Sequence, residues 1–209
     1  GTAGFQNMTA LSSSGRSMPF DKDRDGFMMT EGSATLILEE MESAKARGIR
    51  IYGEVLGSGS TADAHHITAP APGGDGALRC MQLAIEDAGL SSNDIASINA
   101  HGTSTPLNDA AEAEALSKLF GDNGPPVTST KGITGHALGA AGAIEATAVL
   151  LSFIHKQIPP TSGFTTPDPE MAEFNLVTGG PQDWEPGPSM SNSFGFGGHN
   201  GSIVLAPTE

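Results

Sequence analysis

The chain has 209 residues, of which 37% are hydrophobic and 16% charged, and its formal net charge is −14 at pH 7. This apolar content excludes a disordered chain, and the length suffices for one large domain or two small ones. The single cysteine, Cys80, excludes a disulfide framework. The negative charge argues against nucleic acid and anionic membranes as partners. Apolar runs are interrupted before about 18 residues, so no membrane-spanning helix is expected.

The N-terminal quarter of the chain predicts two strands around one helix. Residues 1–24 are polar and are predicted to form a loop. A buried strand is predicted over residues 34–38, and a helix over 39–47 ends at Gly48. A second strand is predicted over 51–56.

The middle of the chain predicts a long loop followed by a helix, a strand and a second helix. Gly57 and Gly59 are expected to end the strand, so residues 57–75 are predicted to be a structured loop. Apolar residues at i, i+3, i+7 and i+10 predict a helix over 77–88, and a strand is predicted over 95–100. The second helix, over residues 109–120, is acidic at its start.

The C-terminal part continues the alternation. Residues 127–130 predict a short strand, and residues 137–154 predict a buried helix that is hydrophobic all round. A mostly irregular segment over 161–188 precedes a final strand over 202–205. Strands that alternate with helices predict an α/β fold, with a sheet covered by helices.

Two histidines lie in glycine-containing turns after predicted strands, where α/β sheets bind ligands. They are His101 and His136. A lone histidine of this kind is more often a polar loop residue, but two similar turns favour a site. Lys131 precedes His136 by five residues, and Glu145 follows it by nine. These two residues could pair within the site, or could form a buried salt bridge that only fixes the turn.

A third candidate is the glycine-rich stretch over residues 192–200, which carries two phenylalanines. It could be a mobile loop whose backbone N–H groups stabilise an oxyanion, or a plain β-turn. Cys80 lies inside an amphipathic helix and is expected to pack rather than react. No spacing of cysteines and histidines fits a zinc site, so no metal is expected.

Three blocks of sequence resemble the β-ketoacyl-acyl-carrier-protein synthases, and among them the type II elongating enzymes. The blocks are Asn99–Pro106, Ser129–Gly142 and Asn192–Gly198, and residues 19–26 and 158–161 are also similar. The resemblance runs along essentially the whole chain. It implies the thiolase fold, in which two similar halves stack as α-β-α-β-α layers.

By this resemblance, residues 1–48 are the end of the first half and residues 49–209 are the second half. The nucleophilic cysteine of the family lies in the first half, upstream of anything in this sequence, and Cys80 does not match it. The chain begins without Met. It is therefore identified as the C-terminal half of a synthase, expected to need the Cys-bearing N-terminal half and to form a homodimer when complete.

The resemblance also implies roles for individual residues. His101 and His136 would donate N–H groups to the oxygen of a malonyl thioester. Lys131, paired with Glu145, would hold the geometry around His136. The arm-binding residues would be Thr103 and Thr105, which hydrogen-bond the phosphopantetheine arm of the substrate.

Three phenylalanines complete the implied site. Phe196 would gate the acyl pocket and help to form the oxyanion hole, and Phe5 and Phe194 would line the substrate pocket. The implied partners are acyl carrier protein and acyl and malonyl thioesters, in the cytoplasm and with no cofactor beyond the arm that the substrate carries. The alternative is a non-catalytic, chain-length-type partner of a ketosynthase, which the absence of the nucleophile favours.

Overall fold

The computed structural model describes residues 2–121 and 123–208, which are built around a five-stranded sheet. The strands of the chain are β1 (Glu54–Ala62), β2 (Ser97–Asn99), β3 (Val127–Thr128), β4 (Gln157–Ile158), β5 (Gln182–Asp183), β6 (Ser189–Gly195) and β7 (His199–Ala206). The sheet has the order β1-β7-β6-β2-β3, while β4 and β5 form a separate two-stranded ribbon. Strand β2 is parallel to both β3 and β6, whereas β7 is antiparallel to β1 and β6.

The helices of the described residues are α1 (Thr2–Asn7), α2 (Met41–Ala46), α3 (Asp75–Asp87), α4 (Pro106–Phe120), α5 (Lys131–Thr134) and α6 (Ala141–His155). Three of them, α3, α4 and α6, cover the two faces of the sheet. Helices α3 and α4 pack with Ile98, Met190 and Val204 in the larger apolar core. Helix α6 packs against Leu205. Since neighbouring residues of a strand point to opposite faces, α6 lies on the other side of the sheet from α3 and α4.

The predicted α/β alternation is confirmed, but the first strand of the sheet was placed wrongly. It was expected to end before Gly57, whereas β1 continues to Ala62. A Cβ at Gly57 would lie 2.4 Å from the backbone nitrogen of Ala88, and one at Gly59 would lie 2.1 Å from the carbonyl oxygen of Cys80. These glycines therefore do not end the strand, because they allow α3 to pack directly on its backbone.

The strand predicted over residues 34–38 is absent from the described structure. Residues 31–40 have no regular secondary structure and no strand partner among the described residues. Ile37 is 87% exposed and Leu38 is 76% exposed. The apolar run has the composition of a buried strand, but an isolated strand has no neighbour to satisfy its backbone hydrogen bonds. The N-terminal residues also differ from prediction, because α1 forms where a loop was expected.

Helix α6 is apolar on all sides, as predicted, but it is only partly buried. Leu151 is 48% exposed and Ile154 is 41% exposed. Together with the 3-10 turn over Leu138–Ala140, residues 138–155 are long and apolar enough to cross a membrane by length and composition alone, contrary to the sequence-based expectation. Glu145, in its middle, is buried and paired with Lys131, and the helix packs on β6 and β7, as a core helix does.

Candidate functional site

The predicted site residues follow three parallel strands that end at the same edge of the sheet. His101 follows β2, and Lys131 and His136 follow β3. Strand β6 carries Phe194 at its end. Because carboxyl ends of parallel strands meet at one edge, His101, His136 and Phe194 line a common cleft of about 730 Å³, and Lys131 contacts it through His101.

The two histidines converge in this cleft. The centroids of the His101 and His136 rings are 5.4 Å apart, and the ring planes are nearly perpendicular, at 85°. His101 is buried, and both rings line the cleft. The geometry therefore brings two imidazoles within reach of one small group, as their positions after neighbouring strands predict.

Hydrogen bonds fix which nitrogen of each ring is available to a ligand. The backbone N–H of Leu138 donates to Nδ1 of His136 at 3.2 Å. Nδ1 of His101 lies 3.3 Å from Nζ of Lys131, and an ammonium group can only donate. Each Nδ1 is thus an acceptor, so the remaining proton of each neutral ring is on Nε2.

Burial keeps both rings neutral near pH 7. It lowers the pKa of His101 well below its ordinary value, and the positive charge of Lys131 and the neighbouring His136 add to that shift. Burial and Lys131 lower the pKa of His136 to about 4. Both imidazoles are therefore N–H donors without a formal charge.

Lys131 and Glu145 form a buried ion pair, but it contacts a different histidine from the one expected. Nζ of Lys131 donates to Oε1 of Glu145 and, at 2.6 Å, to the carbonyl oxygen of His101. Both side chains are almost fully buried. Burial raises the pKa of the Glu145 carboxyl, and Lys131 opposes that rise. The pair thus supports His101 directly, whereas the family resemblance implied a role around His136.

The turn after His101 is held by two buried carboxylates for which the sequence offered no motif. Oε1 and Oε2 of Glu112 accept the backbone N–H groups of His101 and Gly102, both at 2.8 Å. Asp109 accepts the N–H groups of Thr103 and Ser104 at 3.0 and 3.1 Å. Burial raises the pKa of Glu112 to about 7. In the sequence, the acidic start of the helix predicted over residues 109–120 was explained by the helix macrodipole, which gives no sign of these contacts with the turn.

A segment far away in sequence fixes the turns of both histidines. The backbone N–H of Gly26 donates to the carbonyl oxygen of Ser104 at 2.9 Å, and that of His136 donates to Met28 at 2.7 Å. Gly26 has a φ of 144°, and a Cβ there would lie 2.5 Å from the backbone carbon of Leu11. Only glycine fits here, where two segments of the chain cross in close contact.

Aromatic rings form one wall of the cleft. Phe5 packs 5.3 Å from Phe27 and 6.1 Å from Phe196 between ring centroids. Phe27 in turn packs edge-on against His136 at 5.1 Å, and Phe194 lies 6.1 Å from His101. The structure therefore brings together all three predicted phenylalanines, and it adds Phe27, for which the sequence offered no motif. The stretch over residues 192–200 is a hairpin between β6 and β7, with its turn at Phe196–Gly198.

The two predicted arm-binding residues also lie in the cleft. Oγ1 of Thr103 and Oγ1 of Thr105 are 2.9 Å apart and hydrogen-bonded to each other. Because one hydroxyl proton is used between them, the pair offers one O–H donor and free lone pairs. That combination matches a secondary amide, which has one acceptor and one donor.

The described residues, 2–121 and 123–208, contain no cluster of three or more His, Cys, Asp or Glu side chains that could hold a metal ion. Cys80 is fully buried, and its Sγ donates to the carbonyl oxygen of Gly59 at 3.2 Å. Burial raises the pKa of this thiol. Cys80 therefore has the environment of a packing residue and lies outside the cleft.

Comparison with known proteins shows related sequences along the chain. The family profile of the Beta-ketoacyl synthase C-terminal domain matches residues 52–165, and that of the N-terminal domain matches residues 1–44. The chain is 49% identical over 210 residues to 3-oxoacyl-(acyl-carrier-protein) synthase 2 from Synechocystis sp., covering 97% of this chain and 50% of the relative. The chain thus spans about half the length of the curated relatives it matches.

Solved structures of related proteins have the same fold. A Beta-ketoacyl synthase from Burkholderia phymatum is 40% identical with a TM-score of 0.95, covering 100% of this chain and 52% of that one. A type II PKS ketosynthase solved in complex with its acyl-carrier protein gives a TM-score of 0.94 at 35% identity, covering 99% of this chain and 52% of its own. The fold is the predicted thiolase-like α/β fold.

Proposed function

Because the chain belongs to the β-ketoacyl synthase family, we propose that it supplies the enolate-stabilising part of a condensing active site. The reaction is the decarboxylative Claisen condensation of an acyl thioester with malonyl-acyl-carrier protein, in fatty acid elongation. The observation that carries this proposal is the convergence of two neutral imidazoles, each with its proton on Nε2.

The proposed reaction follows from that geometry. The carboxylate–carbon bond of the malonyl thioester breaks, CO₂ leaves, and its electron pair forms an enolate on the thioester. His101 and His136 donate their Nε2–H groups to the enolate oxygen, and a buried cleft makes these hydrogen bonds strong. The enolate carbon then attacks the acyl carbon held on a cysteine of the N-terminal half, and the cysteine leaves as a thiolate.

Neutral donors suit this step better than charged ones. An imidazolium would hand its proton to the enolate, whereas a neutral ring donates a hydrogen bond without losing the proton. The Lys131–Glu145 pair keeps His101 in this state, since the ammonium occupies Nδ1. We assign Lys131 and Glu145 to positioning His101.

The arm of the substrate is assigned to the two threonines. A phosphopantetheine arm contains secondary amides, and the Thr103–Thr105 pair matches one amide. The arm arrives on acyl carrier protein, and a related ketosynthase has been solved with its own carrier bound. The proposal needs no cofactor beyond this arm.

The aromatic wall is assigned to the acyl chain. Phe5 and Phe194 line the cleft, and Phe196, which is 41% exposed at the hairpin turn, gates it and offers its N–H to the oxyanion. Residues 1–48 belong to the N-terminal half and residues 49–209 to the C-terminal half. The complete enzyme is proposed to be a cytoplasmic homodimer.

The decisive experiment uses residues 1–209 together with the Cys-bearing N-terminal half. His101→Ala and His136→Ala should each lower malonyl decarboxylation and condensation by about 100-fold or more, the usual loss for one oxyanion donor. Loading of the acyl group onto the cysteine should persist. The control is His155→Ala at the exposed end of α6, which should leave all three steps unchanged. Condensation that survives both cleft variants would support the non-catalytic alternative.

The chain alone should not condense acyl and malonyl thioesters. Its only thiol is the buried Cys80, whose raised pKa keeps it protonated. Ketoacyl product should appear only when the Cys-bearing half is supplied, and Cys80→Ser should not change its amount. Product from residues 1–209 alone, abolished by Cys80→Ser, would overturn the assignment of the nucleophile to the other half.

A further inference from the structure

Ser104, which lies between the two threonines, has an unusual backbone conformation. Its φ is +70°, in the left-handed region that favours glycine, and its side chain is fully buried. Such conformations cost energy in a non-glycine residue, so they persist only where surrounding contacts impose them.

Three hydrogen bonds from three parts of the chain impose this conformation. The N–H of Ser104 donates to Asp109 at 3.1 Å, and its carbonyl oxygen accepts from the N–H of Gly26 at 2.9 Å. Its Oγ accepts the backbone N–H of Met18 at 2.9 Å. The N–H, the carbonyl oxygen and the Oγ of Ser104 therefore all take part in holding the turn.

The left-handed residue decides where its neighbours point. In an extended chain, residues i and i+2 project to the same side but lie a full strand repeat apart. At Ser104 the chain folds back, and the hydroxyls of Thr103 and Thr105 meet at 2.9 Å. Relaxation of Ser104 toward negative φ would rotate one threonine away from the other.

We propose that Ser104 is a positioning residue for the substrate arm, whose constrained left-handed backbone brings the Thr103 and Thr105 hydroxyls together as one amide-binding pair. Ser104 itself does not touch substrate. The binding part of this inference rests on the proposed function, whereas the geometric part concerns this chain alone.

The first test compares Ser104→Ala with Ser104→Gly, alongside the Cys-bearing half. Both variants lose the bond to Met18, but only glycine adopts a positive φ without strain. For a substrate carrying the phosphopantetheine arm, KM should rise about fivefold in Ser104→Ala and stay within about twofold of the parent in Ser104→Gly. The value of kcat should change little in either variant.

A truncated substrate separates positioning from general damage. With an acyl thioester of a simple thiol, which has no amide, both variants should behave like the parent. A loss in Ser104→Ala that is equal for full and truncated substrates would overturn the proposal, and so would equal KM values for Ser104→Ala and Ser104→Gly. The control is Lys156→Ala, which also places alanine at a residue with positive φ, +52°, but exposed and outside the cleft, and it should leave KM unchanged for both substrates.

The second test does not depend on activity. Crystal structures of both variants should show the Thr103–Thr105 hydroxyl distance beyond hydrogen-bonding range in Ser104→Ala and retained in Ser104→Gly. An unchanged distance in Ser104→Ala would overturn the proposal whatever the kinetics. An inactive parent with the expected pair of distances would instead refute the proposed function and leave the positioning role of Ser104 supported.

Discussion

The two residues of the ion pair buried beside the cleft each depend on a specific partner of opposite charge. Lys131 is almost fully buried and has Glu145 as its carboxylate partner. Removal of one member of such a pair leaves the other charged and unsolvated, which costs more than the intact pair contributes. Surface pairs such as Lys45–Glu42 lack this dependence, because water solvates each charge alone.

Glu145→Ala should therefore destabilise the fold by about 3–5 kcal/mol, because Lys131 would remain buried without a counter-charge. Urea denaturation of the variant and the parent measures this difference. Glu42→Ala, which breaks the exposed pair on α2, is the matched control and should leave the unfolding midpoint in place. If Glu145→Ala has the same urea midpoint as the parent, the pair is solvated and its positioning role is wrong.

The histidines predict a pH dependence of stability with a definite sign. The pKa of His136 is about 4 in the fold and about 6.5 in an unfolded chain. Above pH 6.5 the ring is neutral in both states and its full contribution to stability is present. As pH falls from about 6.5 to about 4, the unfolded chain binds a proton that the folded chain does not, so stability falls.

Unfolding free energies between pH 4 and 7 test this expectation. In His136→Asn, Oδ1 can accept the N–H of Leu138 as Nδ1 does, and no proton is bound. The difference in stability between parent and variant should therefore shrink as pH falls. Glu112 has the opposite effect, because its raised pKa lowers stability as pH rises toward 7. Since Glu112 is present in both proteins, its effect cancels in the difference between parent and variant. A difference that is constant with pH would contradict the lowered pKa of His136.

The sequence could predict which residues meet in the cleft, but not what holds them there. His101 and His136 follow strands and lie beside glycines, and this local pattern can be recognised in the sequence alone. Glu112 and Asp109 act on backbone N–H groups of a turn, and such contacts leave no spacing motif. The same holds for Ser104, whose left-handed backbone depends on Met18 and Gly26.

At the scale of elements, close backbone packing decides which glycines matter. Helix α3 lies directly on β1, and a Cβ at Gly59 would meet two backbone atoms of that helix, at 2.1 and 2.8 Å. Backbone cannot rotate away as a side chain can. The helix would have to move as a unit.

Gly59→Ala should destabilise the fold by about 1–3 kcal/mol or more, as overpacking does. Gly180→Ala is the matched control, since nothing lies within 4 Å of a Cβ at that position and its φ is ordinary. Thermal unfolding followed by circular dichroism measures both. Equal melting temperatures for the two variants would show that α3 does not pack against the backbone of β1.

Helix α6 carries its apolar side chains outward as well as inward. Leu151 and Ile154 are exposed on its far side, although Val149 and Phe153 are buried. Residues 1–209 alone should therefore self-associate through this face. The double variant Leu151→Lys, Ile154→Lys should reduce light scattering at equal concentration, whereas Gln82→Lys on α3 should not. A monodisperse parent would contradict this expectation.

The elements that sequence patterns predict best are those whose partners are close in the chain. Helix α3 was predicted from apolar spacing and α4 from its acidic start, and both end within a few residues of expectation. The run over residues 34–38 has strand composition but no neighbouring strand in the described structure, and composition cannot reveal a missing partner. Strand β1 shows the opposite case, because its glycines are explained only by the helix above them.

At the scale of the whole molecule, the cleft is built from segments at both ends of the sequence. Residues 17–30 contact the turn of His101 through Ser104, and the turn of His136 through Met28. Ser17 also donates to the carbonyl oxygen of Lys131 at 2.6 Å. The order of the strands could be guessed only from the family resemblance, since no local pattern specifies that β7 lies between β1 and β6.

In this arrangement, residues 31–40 connect the N-terminal segment to the rest of the chain but do not hold the cleft together. A protease specific for glutamate should cut the isolated chain first there, because Glu31 and Glu40 are exposed in a segment without regular secondary structure. The N-terminal peptide should nevertheless stay bound after the cut and elute with the remainder. Hydrogen bonds hold it to the two histidine turns, and cleavage of the backbone does not break them. A chain that begins at residue 41 should therefore recover its cleft when a synthetic peptide of residues 1–30 is added. Residues 1–30 would then be a part of the site that can be removed and replaced.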